Sequence, residues 1–185
     1  MTARIVSVDE LCVALRSTLQ QHIPDTVAEL TQLPGYADLE LRTIKEWQQL
    51  PELTALSAAE FPAVSIASPG LIGEATHSRA EGGYRSTWRI NVGIFDRGRG
   101  HDETQALVRA WCAAIRLTVR AHRSLDGAAT ATEWRGDRFN LMPNRNQART
   151  FAGGAVAFDV SAIVIDSLAA GSLVTSTPTP TVSVQ

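Results

Sequence analysis

The clearest periodicity in the chain is an alternation. Tyr84, Ser86, Trp88, Ile90, Val92 and Ile94 interleave with Arg85, Thr87, Arg89, Asn91 and Gly93. A period of two means that one side of an extended segment is largely apolar and the other polar, which predicts a long antiparallel-type strand with one face on a core. Arg97-Gly98-Arg99-Gly100 then predicts a flexible turn. From Asp102 the period changes to 3.6, with Leu107, Val108, Trp111, Cys112, Ile115 and Val119 on one stripe, predicting a helix of roughly twenty residues. Asp102 and Glu103 at its start and Arg120, His122 and Arg123 at its end suit the helix dipole, and Asp102 reads as a cap.

The same helical period occurs near the start, where Val8, Cys12, Leu15, Leu19 and Ile23 share a face. Ser7 and Glu10 have the spacing of a capping box. Pro24 predicts a break, with a second short turn over Asp25 to Leu33 before Pro34-Gly35. In Tyr36 to Glu60, LELRTIKEWQQL predicts a strand leading into a short helix. FPAVSIAS (Phe61 to Ser68) predicts a short strand closed by Pro69-Gly70, and Leu71 to Gly83 a loop long enough to reach a neighbouring molecule. Thr130 to Leu141 predicts a strand with a bulge at Gly136, Met142 to Gly154 an irregular stretch, and Ala155 to Asp166 a final strand. After Leu168 the chain loses charge and aromatics, and the Thr/Pro-rich Ala169 to Gln185 reads as an extended arm that gains order only against a neighbour. The expected fold is α+β, an antiparallel sheet of about four strands packed against two main helices, with a domain over 1–168 and the arm over 169–185.

Composition narrows the function classes. The chain has 185 residues and a net charge of −2, enough for a core and without the basicity of a nucleic-acid binder. Of the 17 basic residues only Lys45 is a lysine. Arginine forks suit ion pairs between subunits, so Arg79, Arg85, Arg89, Arg97, Arg99, Arg109, Arg116, Arg120 and Arg123 are candidate contacts to another subunit or to a partner protein. Arg109, Arg116, Arg120 and Arg123 are expected to line up on one face of the second helix.

The search for chemistry is negative. There is no GxGxxG, P-loop, GxSxG or HExxH. Cys12 and Cys112 lie far apart and read as buried thiols of a reducing compartment. His22 and His122 extend apolar stripes and read as core histidines, while His77 and His101 fall in expected loops. RGRG at 97–100 is too short and isolated to define a phosphate site. The expectation is no catalytic residue, no metal and no cofactor. The opening MTARIVSVDELC lacks a signal-peptide apolar core, and no apolar run is long enough for a membrane helix, so a protein made in a cytoplasm without membrane contact is expected.

The order of these elements resembles the tail-terminator and related tail-completion or neck proteins of long-tailed bacteriophages. FPAVSIAS, a loop, YRSTWRINVGIFDRG, the helix QALVRAWCAAIRLTVRAH and the closing FAGGAVAFDVSAIVIDSL carry the likeness, over roughly residues 5–168. The resemblance implies a structural virion protein at the tail-neck junction, a hexameric ring that caps the tail tube. Its partners would be other copies of itself, the tail tube protein and the neck or connector proteins, with the tail tube as the partner that the candidate arginines would contact. Such a subunit works by shape, closing a ring through head-to-tail surfaces, and genomic DNA passes the channel without specific binding. A head-to-tail adaptor or stopper is the nearest alternative, although adaptors tend to be mostly helical. A small enzyme is the alternative from another class, and a pocket of convergent titratable groups would favour it.

Overall fold

The computed structural model describes residues 4–5, 7–48, 60–142 and 151–165. The expected arm over 169–185 lies outside the described residues, as do 143–150 of the expected irregular stretch and 49–59 of the Tyr36 to Glu60 segment, with the end of LELRTIKEWQQL.

Helix α1 (Val8–Leu30) starts where the capping-box spacing places it. The Glu10 carboxylate accepts the Ser7 N–H at 3.1 Å, satisfying one of the orphan donors of the first turn. The helix does not break at Pro24 and runs on to Leu30, so the separate turn expected over Asp25 to Leu33 is absent. Proline removes one helical hydrogen bond. Here Pro24 faces solvent while Ile23 and Leu30, on either side, are buried in the core, and that packing holds the helix through the lesion.

The strands are β1 (Arg4–Ile5), β2 (Glu46–Gln48), β3 (Ala63–Leu71), β4 (Thr76–Ser78), β5 (Gly83–Asp96), β6 (Ala131–Met142) and β7 (Phe151–Ile165). Helix α2 (His101–Ala121) follows β5, and a 3-10 turn, Leu125–Gly127, follows α2. The fold is α+β, as expected. Four long strands, in the order β6-β7-β5-β3, form an antiparallel body. Two short parallel pairings extend it, β1 on β7 and β2 on β3. Within LELRTIKEWQQL, expected as a strand leading into a short helix, the strand is Glu46–Gln48, to which β3 offers a free edge. The Leu71 to Gly83 loop folds in part into β4, a hairpin partner of β5. Pro69-Gly70 does not end β3. The register against β5 shifts between Ala67 and Gly70, a bulge that absorbs the proline.

Both helices contribute to one apolar core with the same face of the sheet. That face carries Val64, Ile66, Ile90, Val92, Ile94, Val156, Phe158 and Val160, with Trp88 half-buried at its margin. Against it lie Leu11, Leu15 and Leu19 of α1 and Val108, Trp111 and Ile115 of α2. The stripe expected of α2, including Leu107 and Val119, is buried throughout. Strand β7 begins at Phe151, four residues before the expected Ala155, and its glycines explain the difference. A Cβ on Gly154 would stand 2.7 Å from Cys112 Sγ and 2.8 Å from Val108 Cγ1. Glycine therefore does not interrupt the strand here but lets α2 lie close upon it.

The cysteines are free and buried, as expected. Burial, aided by the Asp9 charge, pushes the Cys12 thiol up to about 11. Burial and the Asp137 charge, partly opposed by Arg116, push Cys112 up to about 12. The thiolate is the reacting species. We therefore expect both thiols to react very slowly with a disulfide reagent at pH 8 in the native protein, and both to react at once in denaturant. Rapid native labelling of either would contradict the packing described.

Candidate assembly surface

Strand β6 forms one edge of the sheet, and the expected bulge at Gly136 decides what that edge displays. The register against β7 shifts between Trp134 and Gly136, with Gly136 at φ 145°. Trp134 pairs with Phe158, Asp137 with Val156 and Phe139 with Gly154, so all three stand on the helix side of the sheet. Asp137 accepts Arg116 Nη1 at 2.6 Å through one oxygen and the Trp134 indole N–H at 2.9 Å through the other. The Arg116 guanidinium lies 5.0 Å from the Trp134 ring centre, and Arg109 lies 5.9 Å from that of Phe139. Both distances suit cation–π attraction. Trp134 and Phe139 remain 45% and 48% exposed, so the edge is an aromatic and arginine surface facing solvent.

A second apolar group lies across the sheet. Leu71 ends β3, Ile72 follows it and Tyr84 opens β5 beside β4, and all three are exposed. The His77 ring, in a strand and not a loop, meets Tyr84 edge-on at 5.1 Å. Arg79 is exposed in the turn between β4 and β5. This group sits on the β3/β4 side of β5, whereas β6 lies beyond β7.

The face of the sheet turned away from the helices is polar. Asp159 accepts Arg89 Nε at 2.5 Å and also bonds Arg135 Nε. Burial works against its charge, but the hydrogen bonds and charges of Arg89 and Arg135 prevail and hold the carboxyl below its ordinary range. Arg135 reaches Glu133 at 2.9 Å, Arg85 reaches Glu81 at 2.7 Å, and Thr87 and Ser161 share a 2.8 Å hydrogen bond. Arg85, Arg89 and Arg135 on this face are thus each matched by a carboxylate.

The remaining candidate arginines scatter. Arg109 and Arg116 face β6, Arg120 is exposed on α2, and Arg123 lies past the helix end at Ala121, so the four do not form one line. Arg97 and Arg99 line a cleft of about 540 Å³ with Glu40, Arg42, Gly98, Glu103 and Leu107. The cleft gathers titratable groups, and two of them, Arg42 and Glu103, hold the turn itself. The N–H groups of Arg97, Gly98 and Arg99 already donate to Asp96, Thr104 and Glu103 at 2.8, 2.9 and 2.5 Å. Three of the four RGRG amides are therefore already committed within the turn. Arg42 spends its Nη2 on Asp96 at 2.7 Å and the Arg97 carbonyl at 3.0 Å. Among the described residues, none that lines the cleft carries a hydroxyl, thiol or imidazole. His101 is the first residue of α2, and Gly100, not Asp102, is its N-cap, leaving Asp102 only a dipole role.

Sequence reasoning finds Arg109 and Arg116 but misses Trp134, Asp137 and Phe139, their partners. The bulge was legible in Gly136. What it re-aims depends on the neighbouring strand's register, which no local pattern carries. Arg42, Arg135, Asp96 and Asp159 were missed for the same reason, since the Arg42–Asp96, Arg89–Asp159 and Arg135–Asp159 pairs join residues 54, 70 and 24 positions apart.

The features together define a two-layer α+β fold, a sheet with one face closed by helices and the other polar, and with exposed apolar side chains on β6 and near the end of β3. Among the described residues no helix is long and apolar enough to cross a membrane. No family model matches the chain, and no curated protein matches its sequence. Among solved structures the chain is similar to one from the virion of a native gene transfer agent (GTA) particle, at 8% identity and a TM-score of 0.43, over 83% of this chain and 94% of that one.

Proposed function

We propose that this chain is a structural virion subunit of the tail-terminator type, closing into a ring at the end of a phage tail tube. The observation that carries the reading is the pair of unlike exposed patches. A head-to-tail ring needs two different, mutually complementary patches on one subunit, whereas a two-fold dimer needs one self-complementary patch. Here Trp134 and Phe139 with Arg109 and Arg116 occupy the β6 edge, and the exposed Leu71 and Ile72 lie at the end of β3, on the far side of β5 from it. Exposed aromatics and arginines of this kind are enriched at protein interfaces. The order of elements along the sequence supports the same family, from which the hexamer, the tail tube and neck partners and the passage of DNA are taken. The carboxylate-matched arginines of the polar face fit a channel wall that lets DNA slide. The strand-rich fold favours this reading over a helical adaptor.

Mixed mutants test it. Trp134→Glu with Phe139→Glu should poison one patch, and Leu71→Glu with Ile72→Glu the other, with circular dichroism unchanged because all four side chains are exposed. The wild-type chain should sediment as a closed oligomer and show rings by electron microscopy. Each double variant alone should be monomeric, and an equal mixture should give heterodimers through the one intact patch of each. A wild-type chain that stays monomeric at every concentration, or double variants that still form rings, would sink the proposal.

A further inference from the structure

We propose that His22, His122 and Asp126 form a binding site for a divalent transition-metal cation of the zinc class. The three residues come from α1, the end of α2 and the turn that follows it, and the two histidines are a hundred positions apart, so no sequence spacing announces them. One ligand atom from each lies within 4.8 Å of the others. Two imidazoles and a carboxylate are the borderline-soft donor set that zinc takes, with three protein ligands leaving a fourth position open.

The local backbone is built around this convergence. Helix α2 ends at Ala121, and His122 takes a non-helical conformation at its C-cap, which aims its ring back at α1. The rings of His22 and His122 lie face to face with centres 3.7 Å apart. Leu125 and Asp126 then both adopt positive φ, at 47° and 56°. This left-handed region is tolerated by aspartate and disfavoured by leucine. Burial of the Leu125 side chain imposes it, and such backbone gathers at ligand clamps. The result brings the exposed Asp126 carboxylate to α1, where the buried Thr18 hydroxyl donates to Oδ2 at 3.4 Å. A hydroxyl behind a carboxylate is the outer support that metal ligands usually have.

Ligation needs one movement. The nitrogen lone pairs lie in the ring planes, and bonds to zinc are about 2.0–2.1 Å long, so one ring must turn out of the stack to share an ion with the other. Both histidines are half-buried and Asp126 is exposed, so these side chains have room to turn. The bound ion would tie α1 to the end of α2, and its open position would face the solvent or a donor from a second molecule. The site makes no use of the patches invoked for ring closure.

The probe is Co²⁺, with Zn²⁺ as competitor, added to the untagged full-length chain. One equivalent should bind with the visible spectrum of nitrogen and oxygen ligation, Zn²⁺ should displace it, and the melting temperature should rise. His122→Gln and Asp126→Asn should each weaken binding by about tenfold or more, while His101→Gln, a histidine outside the cluster, should leave it unchanged. The wild-type titration decides independently of how the variants fold. Absence of saturable binding would overturn the proposal. So would thiolate-to-cobalt bands, which would place the ion on a cysteine, or affinity unchanged in a folded His122→Gln variant.

Discussion

Trp111→Ala should destabilise the protein by about 3–5 kcal/mol, the range found when a buried large aromatic is truncated to alanine. Trp111 is 2% exposed and lies where α2 crosses the sheet, among the largest buried side chains. Its removal opens a cavity lined by rigid neighbours on both elements, so little of the volume can collapse. It also removes a polar contact, because the indole N–H donates to Asp96 Oδ2 at 3.0 Å. Trp111→Phe separates the two contributions by keeping most of the bulk and losing the donor. Urea unfolding of the three proteins measures both. A loss under about 1 kcal/mol for the alanine variant would mean that the helix does not pack on the sheet as described.

Asp96→Ala should cost about 3 kcal/mol, although it removes only a small side chain. Asp96 is wholly buried at the end of β5 and accepts three donors, from Trp111, Arg42 and the Arg97 backbone. Burial raises its carboxyl above the ordinary range, and the Arg97 hydrogen bond, the Arg42 charge and the Trp111 bond pull back against that rise. Deleting the acceptor strands the buried indole N–H, a loss of about 1–3 kcal/mol, and breaks the ion pair with Arg42. Arg42 is partly exposed and can turn to water, which keeps the total below that of a fully buried pair. The variant shares one hydrogen bond with Trp111→Ala. The double variant should therefore lose less than the two singles combined, by about 0.5–3 kcal/mol. Strict additivity would show that the bond contributes nothing.

The parts of the fold that were legible in the sequence are those that a single element specifies. The α2 stripe, the β5 alternation, the Ser7 and Glu10 box and the Gly136 bulge each follow from a local period or a local backbone need. The parts that were not legible depend on a second element. Pro24 stays helical because Ile23 and Leu30 are held by the core, and Gly154 belongs to a strand because α2 lies on it. The candidate surface divides the same way. The arginines of α2 could be named from spacing, but what they meet is set by β6 through β7. The cluster of His22, His122 and Asp126 depends on how two helices end beside each other. The tail tube and neck partners rest on the proposal, and the arm expected over 169–185 lies outside the described residues.

The bulge in β6 has a consequence for how this chain can change length. Arg135 is the unpaired residue between Trp134, opposite Phe158, and Gly136, opposite Ala157. Deleting it would leave every other pairing of the strand in place and cost only its contacts with Asp159 and Glu133. Deleting a residue a few positions further on, between Asp137 and Phe139, would turn the distal half over and move Phe139 to the polar face. The bulge thus works as an expansion joint. On one side of it the strand buries Thr132 and holds Trp134 against Arg116, and on the other it presents Asp137 and Phe139 to α2. Insertions and deletions taken up at the joint would leave both halves aimed as they are.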